Sequence, residues 1–270
     1  MVKVHTLLTY WISVIKTGTS LVRRGGDVYQ EEGLRAVLKK IPPTVRSFAG
    51  TVFRDIKAMF VDSEEIREIW VSKEGKYSPE YYASKGIDET SELVLDVIES
   101  AAEPDDHILE IGCSSGRHLA HLYHNGYENL SGIEINERSV EVMGEHFPQL
   151  SSDARIHTRA VEDIVESFED GEFDVVYSVE TLEIIPPKND WVFGEIARIT
   201  DDALITVEEE PANPTGRPIQ NRPVRETDGF PVFRRRWSDI FSEYGFDSNT
   251  VVEQVSVPED TVRVFRRSDS

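Results

Sequence analysis

Three features of this 270-residue chain predict an α/β fold carried by a mostly parallel sheet. From residue 107 onward, short apolar runs alternate with helical patterns, the rhythm of a sheet with helices on both faces. The first run, HILEIG (107–112), passes directly into the turn CSSG and then a helix. The chain closes on two strand-like runs with no helix between them, NTVVEQVSV (249–257) and TVRVFRR (261–267), turned at Pro258-Glu259-Asp260. A connection that short makes these two strands antiparallel to each other.

The elements follow in order. Residues 1–76 read as a helical N-terminal extension or cap. GLRAVLKKI (33–41) is amphipathic and is stopped by Pro42-Pro43. Residues 54–70 carry apolar positions at helical spacing, with Ser63 as a cap inside the run. VSKEGKYSPEYYASKGIDE (71–89) reads as a linker, and TSELVLDVIESA (90–101) as a helix. Strands are expected at 107–112, 129–135, 153–160, 173–179 and 202–210. Helices are expected from the turn to about Asn125, and at 137–147 and 189–199. Residues 213–236 read as a long loop, 235–246 as a helix closed at Gly245, and the hairpin completes the sheet. The sum is a Rossmann-like, doubly wound, seven-stranded sheet with its last strand antiparallel, occupying 77–270 behind the extension 1–76.

Composition bounds the function. A hydrophobic content of 39% supplies a real core without disulfides or metal. The single cysteine, Cys113, excludes an intrachain disulfide and fits a reducing, cytoplasmic setting. A net charge of -21 repels nucleic-acid phosphates and argues against a nucleic-acid partner. Acid excess with few lysines resembles the proteins of salt-accumulating, halophilic archaea, whose dense carboxylate surface keeps them soluble where salt screens repulsion. In residues 1–60 the bases outnumber the acids. That leader packs as a cap on the acidic body, or makes peripheral contact with an anionic membrane. Its apolar stretches are too interrupted, by Lys3, His5 and Lys16 among others, for a membrane span.

The turn LEIGCSSGRHL (109–119) carries the chemistry. A P-loop requires a Lys-Ser/Thr pair after its last glycine, and Arg117-His118 stands there. A dinucleotide fingerprint requires three glycines, and Ser114 and Arg117 occupy the second and third. What remains is E-x-G-x-x-x-G, with Glu110 two residues before Gly112 and with Gly116 closing the turn. Glu134, at the end of the second strand in SGIEIN (131–136), lies 22 residues after Gly112. That position suits an acid that accepts both hydroxyls of a ribose, for a nicotinamide cofactor or for S-adenosylmethionine.

In this order of motifs, over roughly residues 77–267, the chain resembles the class I S-adenosylmethionine-dependent methyltransferases. The resemblance implies that the turn Gly112-Cys113-Ser114 holds the methionine end of the cofactor, with Glu110 suiting its ammonium. Ser114 stands where the family often has glycine. It implies further that Ile135 packs on the adenine and that Ala160, Val161 and Glu162 line it, with Asp163 as the alternative acid. Ser178, Val179 and Glu180, after the fourth strand, are implied to face the methyl group. No catalytic base is certain; Glu180 and Glu183 are the candidates. The implied acceptor is a small molecule, a glycan or a lipid-linked precursor, approached by Tyr77, Tyr81, Tyr82 and the 213–236 loop.

Other groupings read as structural. His118, His121 and His124 share one helix, but the i+6 position turns away from i, so they are read as partly exposed side chains and no metal is expected. Glu208-Glu209-Glu210 reads as an acidic rim, and Arg234-Arg235-Arg236 as partners of local carboxylates. Two other functions stay open: a non-catalytic module that binds the cofactor, and a nicotinamide-dependent oxidoreductase.

Overall fold

The computed structural model describes residues 63–210, 222–227, 230–251 and 260–268. The 33–41 helix, the start of the 54–70 helix, residues 211–221 and the Pro258-Glu259 turn lie outside the described residues. Nine strands and nine α-helices are described. The strands are β1 (Ile108–Ile111), β2 (Leu130–Glu134), β3 (Arg155–Thr158), β4 (Phe173–Val179), β5 (Thr200–Glu209), β6 (Arg222–Thr227), β7 (Phe230–Arg234), β8 (Phe246–Val251) and β9 (Asp260–Arg267). The helices are α1 (Ser63–Val71), α2 (Pro79–Lys85), α3 (Glu89–Glu99), α4 (Arg117–His124), α5 (Glu137–His146), α6 (Pro148–Asp153), α7 (Val161–Ile164), α8 (Trp191–Ile199) and α9 (Trp237–Ser242).

The main sheet has seven strands in the order β3-β2-β1-β4-β5-β9-β8. The pairs from β3 through β5 are parallel, and β9 runs antiparallel to both β5 and β8. The sequence therefore predicts the sheet and its reversed last strand correctly. Among the departures from expectation, two bear on the site. The segment read as a linker contains α2, which Ser78 starts by accepting the Tyr81 N–H at 3.2 Å and Pro79 extends with a preset φ. The segment read as a long loop contains the β6–β7 hairpin, which among the described residues pairs with itself alone. Its Pro and Gly content masked a short ribbon.

Alternation along the strands divides the core. Ile108, Val175, Tyr177 and Ile205 face α3 and α4, packing on Ile98, Leu119 and Leu122. Leu109, Ile111, Val176 and Leu204 face α8 and α9, packing on Phe193, Ile196 and Trp237. β1 and β2 are buried along their full length, so their carboxyl ends are fixed points from which the following turns project. α3 is anchored before β1 by a capping box in which Asp88 and Ser91 exchange hydrogen bonds.

Candidate active site

One cavity opens at the carboxyl ends of β1, β2, β3 and β4, where a doubly wound sheet binds its ligands. It is built from two turns that touch. After β1 the backbone takes left-handed φ values at Gly112 (76°), Ser114 (47°) and Gly116 (77°). Gly112 has no alternative: a Cβ there would lie 2.1 Å from the Thr181 hydroxyl of the second turn. Gly116 leads into α4 and lies against Met143, so it shapes the turn without lining the cavity. Ser114 holds its left-handed φ without being glycine, because Glu134 fastens it: the Ser114 N–H donates to Glu134 at 2.8 Å.

Glu134 lines the cavity and is 8% exposed. Its other oxygen accepts the Asn136 N–H at 2.7 Å. Burial raises its pKa, and the backbone N–H groups of Asn136, Ser114 and Ile135 pull the other way. Glu110 is fully buried, accepts the Tyr177 hydroxyl at 2.9 Å, and is pushed up to about 8 by burial. Cys113 lines the cavity as a buried thiol whose pKa burial raises well above its ordinary value. Ile135, Ala160, Val161 and Glu162 line the same cavity.

Helix α1 supplies a wall that the sequence analysis missed. Ser63, Ile66, Arg67 and Trp70 line the cavity, though they fall in the segment assigned to the extension. Arg67 makes a bidentate pair with Asp163, both bonds at 3.0 Å, and reaches Glu162 at 3.3 Å. Asn189 donates to both Ser63 and Glu162, and Asn136 donates to the Trp70 carbonyl at 3.2 Å. Nothing local in the sequence pairs Arg67 with an acid 96 residues away.

The second turn follows β4. Glu180 lines the cavity with φ 48°, another left-handed residue that is not glycine. The turn is gripped from inside by Glu208, which accepts the Ser178 hydroxyl at 2.6 Å and the N–H groups of Thr181, Leu182 and Glu183 at 3.0–3.1 Å. Glu208, Glu209 and Glu210 are therefore no acidic rim: Glu208 is wholly buried, Glu209 is buried and bound to Arg234, and Glu210 pairs with Arg263. Ser178, expected at the methyl group, is turned inward by Glu208 and does not line the cavity. Glu183, a candidate base, is also inside; it accepts the Glu209 N–H at 2.7 Å. Burial and the Glu208 charge push its pKa up to about 9. Of the two candidates, only Glu180 reaches the cavity.

Arg235 is fully buried, donating to the Leu182, Phe233 and Ile185 carbonyls and pairing with Asp190 at 2.8 Å. It anchors the stretch after β4, in keeping with a structural role. Tyr77 and Tyr82 line the cavity, with Tyr81 edge-on to both. Of the helix histidines, His118 and His121 are buried rather than partly exposed. His118 borders the cavity, His121 meets Glu92 at 3.2 Å, and His124 donates to the Ala120 carbonyl.

Residues 108–202 match the family model described as a methyltransferase domain. The chain superposes on geranyl diphosphate C-methyltransferase of Streptomyces coelicolor with a TM-score of 0.58 and 12% identity, covering 76% of this chain and 97% of that one. It superposes on magnesium protoporphyrin IX methyltransferase of Synechocystis, solved with bound S-adenosylmethionine, with a TM-score of 0.52 and 15% identity, covering 81% and 96%. The fold is that of a class I S-adenosylmethionine-dependent methyltransferase. Within that methyltransferase fold, sequence similarity is local. A rice 24-methylenesterol C-methyltransferase is 30% identical over 108 residues, 40% of this chain and 29% of that protein. O-methyltransferase cnsE of Penicillium expansum is 26% identical over 108 residues, 38% and 39% of the two chains. The aligned stretch thus spans about a third of the length of these curated relatives. Among the described residues no helix is long and apolar enough to cross a membrane.

Proposed function

We propose that this protein transfers a methyl group from S-adenosylmethionine to a small-molecule acceptor, lipophilic or lipid-linked. One observation carries the reading: the turn after β1 and the acid ending β2 are fastened together, through Ser114 and Glu134, on the wall of one cavity. The residues suit the cofactor. Glu134 would accept the ribose hydroxyls, and Ile135, Ala160 and Val161 would flank the adenine. Glu162 would take its amino group, Glu110 the ammonium, and Gly112 to Ser114 would let the backbone pass close to the methionine end. Bound cofactor supplies an electrophilic methyl on sulfur, and the protein's task is to align the acceptor and exclude water. The match to a sterol C-methyltransferase and the likeness to a geranyl diphosphate C-methyltransferase favour an apolar acceptor.

The acid excess is read as adaptation to concentrated salt, and the basic segment 1–60 as a peripheral membrane contact or a cap. We further propose a helical extension over 1–76 and a methyltransferase domain over 77–270, with α1 of the extension serving the cofactor wall. Calorimetric titration in concentrated potassium chloride, with S-adenosylmethionine, S-adenosylhomocysteine and NADH, tests the reading. Micromolar binding of the first two, weakened at least tenfold by Glu134→Ala, is expected. Tight NADH binding, or no binding of any of the three to folded protein, overturns it.

A further inference from the structure

The turn after β1 holds two serines with opposite fates. Ser115 is buried, and its hydroxyl donates to the Pro79 carbonyl at 2.6 Å. Ser114 lines the cavity in a left-handed conformation, φ 47°, that glycine adopts at less cost. Glu134 holds its N–H, while no described residue bonds its hydroxyl. Arg117 lines the same cavity with its side chain 8% exposed. Its Nη1 is buried against Asp88 at 2.5 Å, and the Tyr82 ring lies 6.0 Å from the guanidinium. No described residue bonds Nε or Nη2. Among the described residues three arginines line the cavity, each in different surroundings. Arg67 is engaged by Asp163 and Glu162. Arg159 is exposed and precedes Ala160 and Val161, on the adenine side of the proposed cofactor. Arg117 leads α4 out of the turn, beside Glu110: burial raises the Glu110 pKa, and the Tyr177 hydroxyl and the Arg117 charge oppose that rise.

We propose that Ser114 and Arg117 form a seat for the carboxylate at the cofactor's methionine end, with the Ser114 hydroxyl and the Arg117 guanidinium as its donors. This deepens the methyltransferase reading and rests on it. The methionine end carries an ammonium and a carboxylate on one carbon, so a wall that suits it presents both signs of charge close together. Glu110 supplies one and Arg117 the other. Asp88, the cap of α3, pairs with Nη1 and fixes the guanidinium at the wall. The hydroxyl is the specific part. A glycine at 114 would relieve the backbone and keep the N–H that Glu134 accepts, so neither the turn nor its fastening calls for a serine. A hydroxyl on the cavity wall adds a donor for a ligand oxygen. The ligand class follows: adenosine compounds with an intact α-amino acid on sulfur, in preference to the nucleoside alone.

The test needs no acceptor. Three ligands are titrated calorimetrically: S-adenosylhomocysteine; its decarboxylated form, which keeps the ammonium; and 5′-methylthioadenosine, which lacks the amino acid. The proteins are the full chain, Ser114→Gly, Ser114→Ala and Arg117→Met, each checked for folding by its thermal transition. Wild type is expected to prefer S-adenosylhomocysteine over the decarboxylated form about a hundredfold, from one charge-assisted hydrogen bond and one ion pair. Ser114→Gly should melt no lower than wild type and cut that preference about tenfold, and Ser114→Ala should cut it equally. Arg117→Met should cut it about tenfold as well. The affinity for 5′-methylthioadenosine should stay unchanged in Ser114→Gly and Arg117→Met. A wild-type preference near one overturns the inference, as does an unchanged preference in folded Ser114→Gly or Arg117→Met. So does an equal loss for all three ligands in Ser114→Gly, which assigns the hydroxyl to the ribose or to the turn itself. In each case wild type still binds S-adenosylhomocysteine, and the cofactor reading stands. If folded wild type binds none of the three ligands, the cofactor reading fails and takes this inference with it. Should Arg117→Met not fold, the two Ser114 variants decide.

Discussion

The two turns of the cavity are built by the same device and put to different ends. After β1 and after β4, the backbone leaves the sheet in a left-handed conformation, and a buried glutamate on the neighbouring strand catches its N–H groups. Glu134 catches one N–H of the first turn and stays on the cavity wall. Glu208 catches three of the second turn, takes the Ser178 hydroxyl as well, and is sealed inside. An acid at a strand end can thus be a ligand contact or a structural clamp, depending on how many donors its own fold presents. The turns meet at Gly112 and Thr181, so a change in one is felt by the other.

The strongest way to break the pair is at that meeting point. Gly112→Ala puts a methyl 2.1 Å from the Thr181 hydroxyl at a φ of 76°. It should cost about 3 kcal/mol of stability and abolish S-adenosylhomocysteine binding, read by thermal denaturation and calorimetry. Glu208→Ala leaves three N–H groups and a hydroxyl without their acceptor. A loss of about 2 kcal/mol is expected in a denaturant series, with Glu180 released from its conformation while S-adenosylhomocysteine still binds.

The third prediction concerns pH. Glu183, Glu208 and Asp260 are held by burial near about 9, 7 and 8, above their unfolded values of about 4. The folded chain therefore binds more protons than the unfolded one, and stability falls as pH rises from about 4 to about 9. Glu183→Gln keeps an oxygen for the Glu209 N–H and removes the charge. It should flatten that fall and stabilise the protein by on the order of 2 kcal/mol at pH 8. An unaltered pH profile in a denaturant series would show that Glu183 carries no such penalty. The smallest effect belongs to the cofactor wall: Arg67→Met frees α1 from Glu162 and Asp163 and should weaken S-adenosylhomocysteine about threefold, more a loosened wall than a lost contact.

Much of the first turn was legible in the sequence because its parts are close in the chain. Glu110, Gly112, Ser114 and Gly116 fall within seven residues, and strand periodicity sets Glu134 at the end of the adjacent strand. The second turn was legible only in outline. Glu180 was found, but Ser178 and Glu183 were assigned outward because β4 and β5 meet only in the sheet. The register that sets Ser178 beside Thr206 also brings Glu208 beneath the turn, and nothing in SVETLE reports it.

The alternation of apolar runs with helices, the E-x-G-x-x-x-G turn and the closing hairpin determined the fold and the region of the site. They did so because strand period, glycine conformation and turn chemistry are local properties of a chain. Which acids face the cavity was decided by tertiary structure alone. Arg67 reaches Asp163 across 96 residues, and Glu208 is buried by the donors that converge on it. The fate of a carboxylate depends on the hydrogen bonds and charges brought to it, and these come from strands and helices distant in sequence.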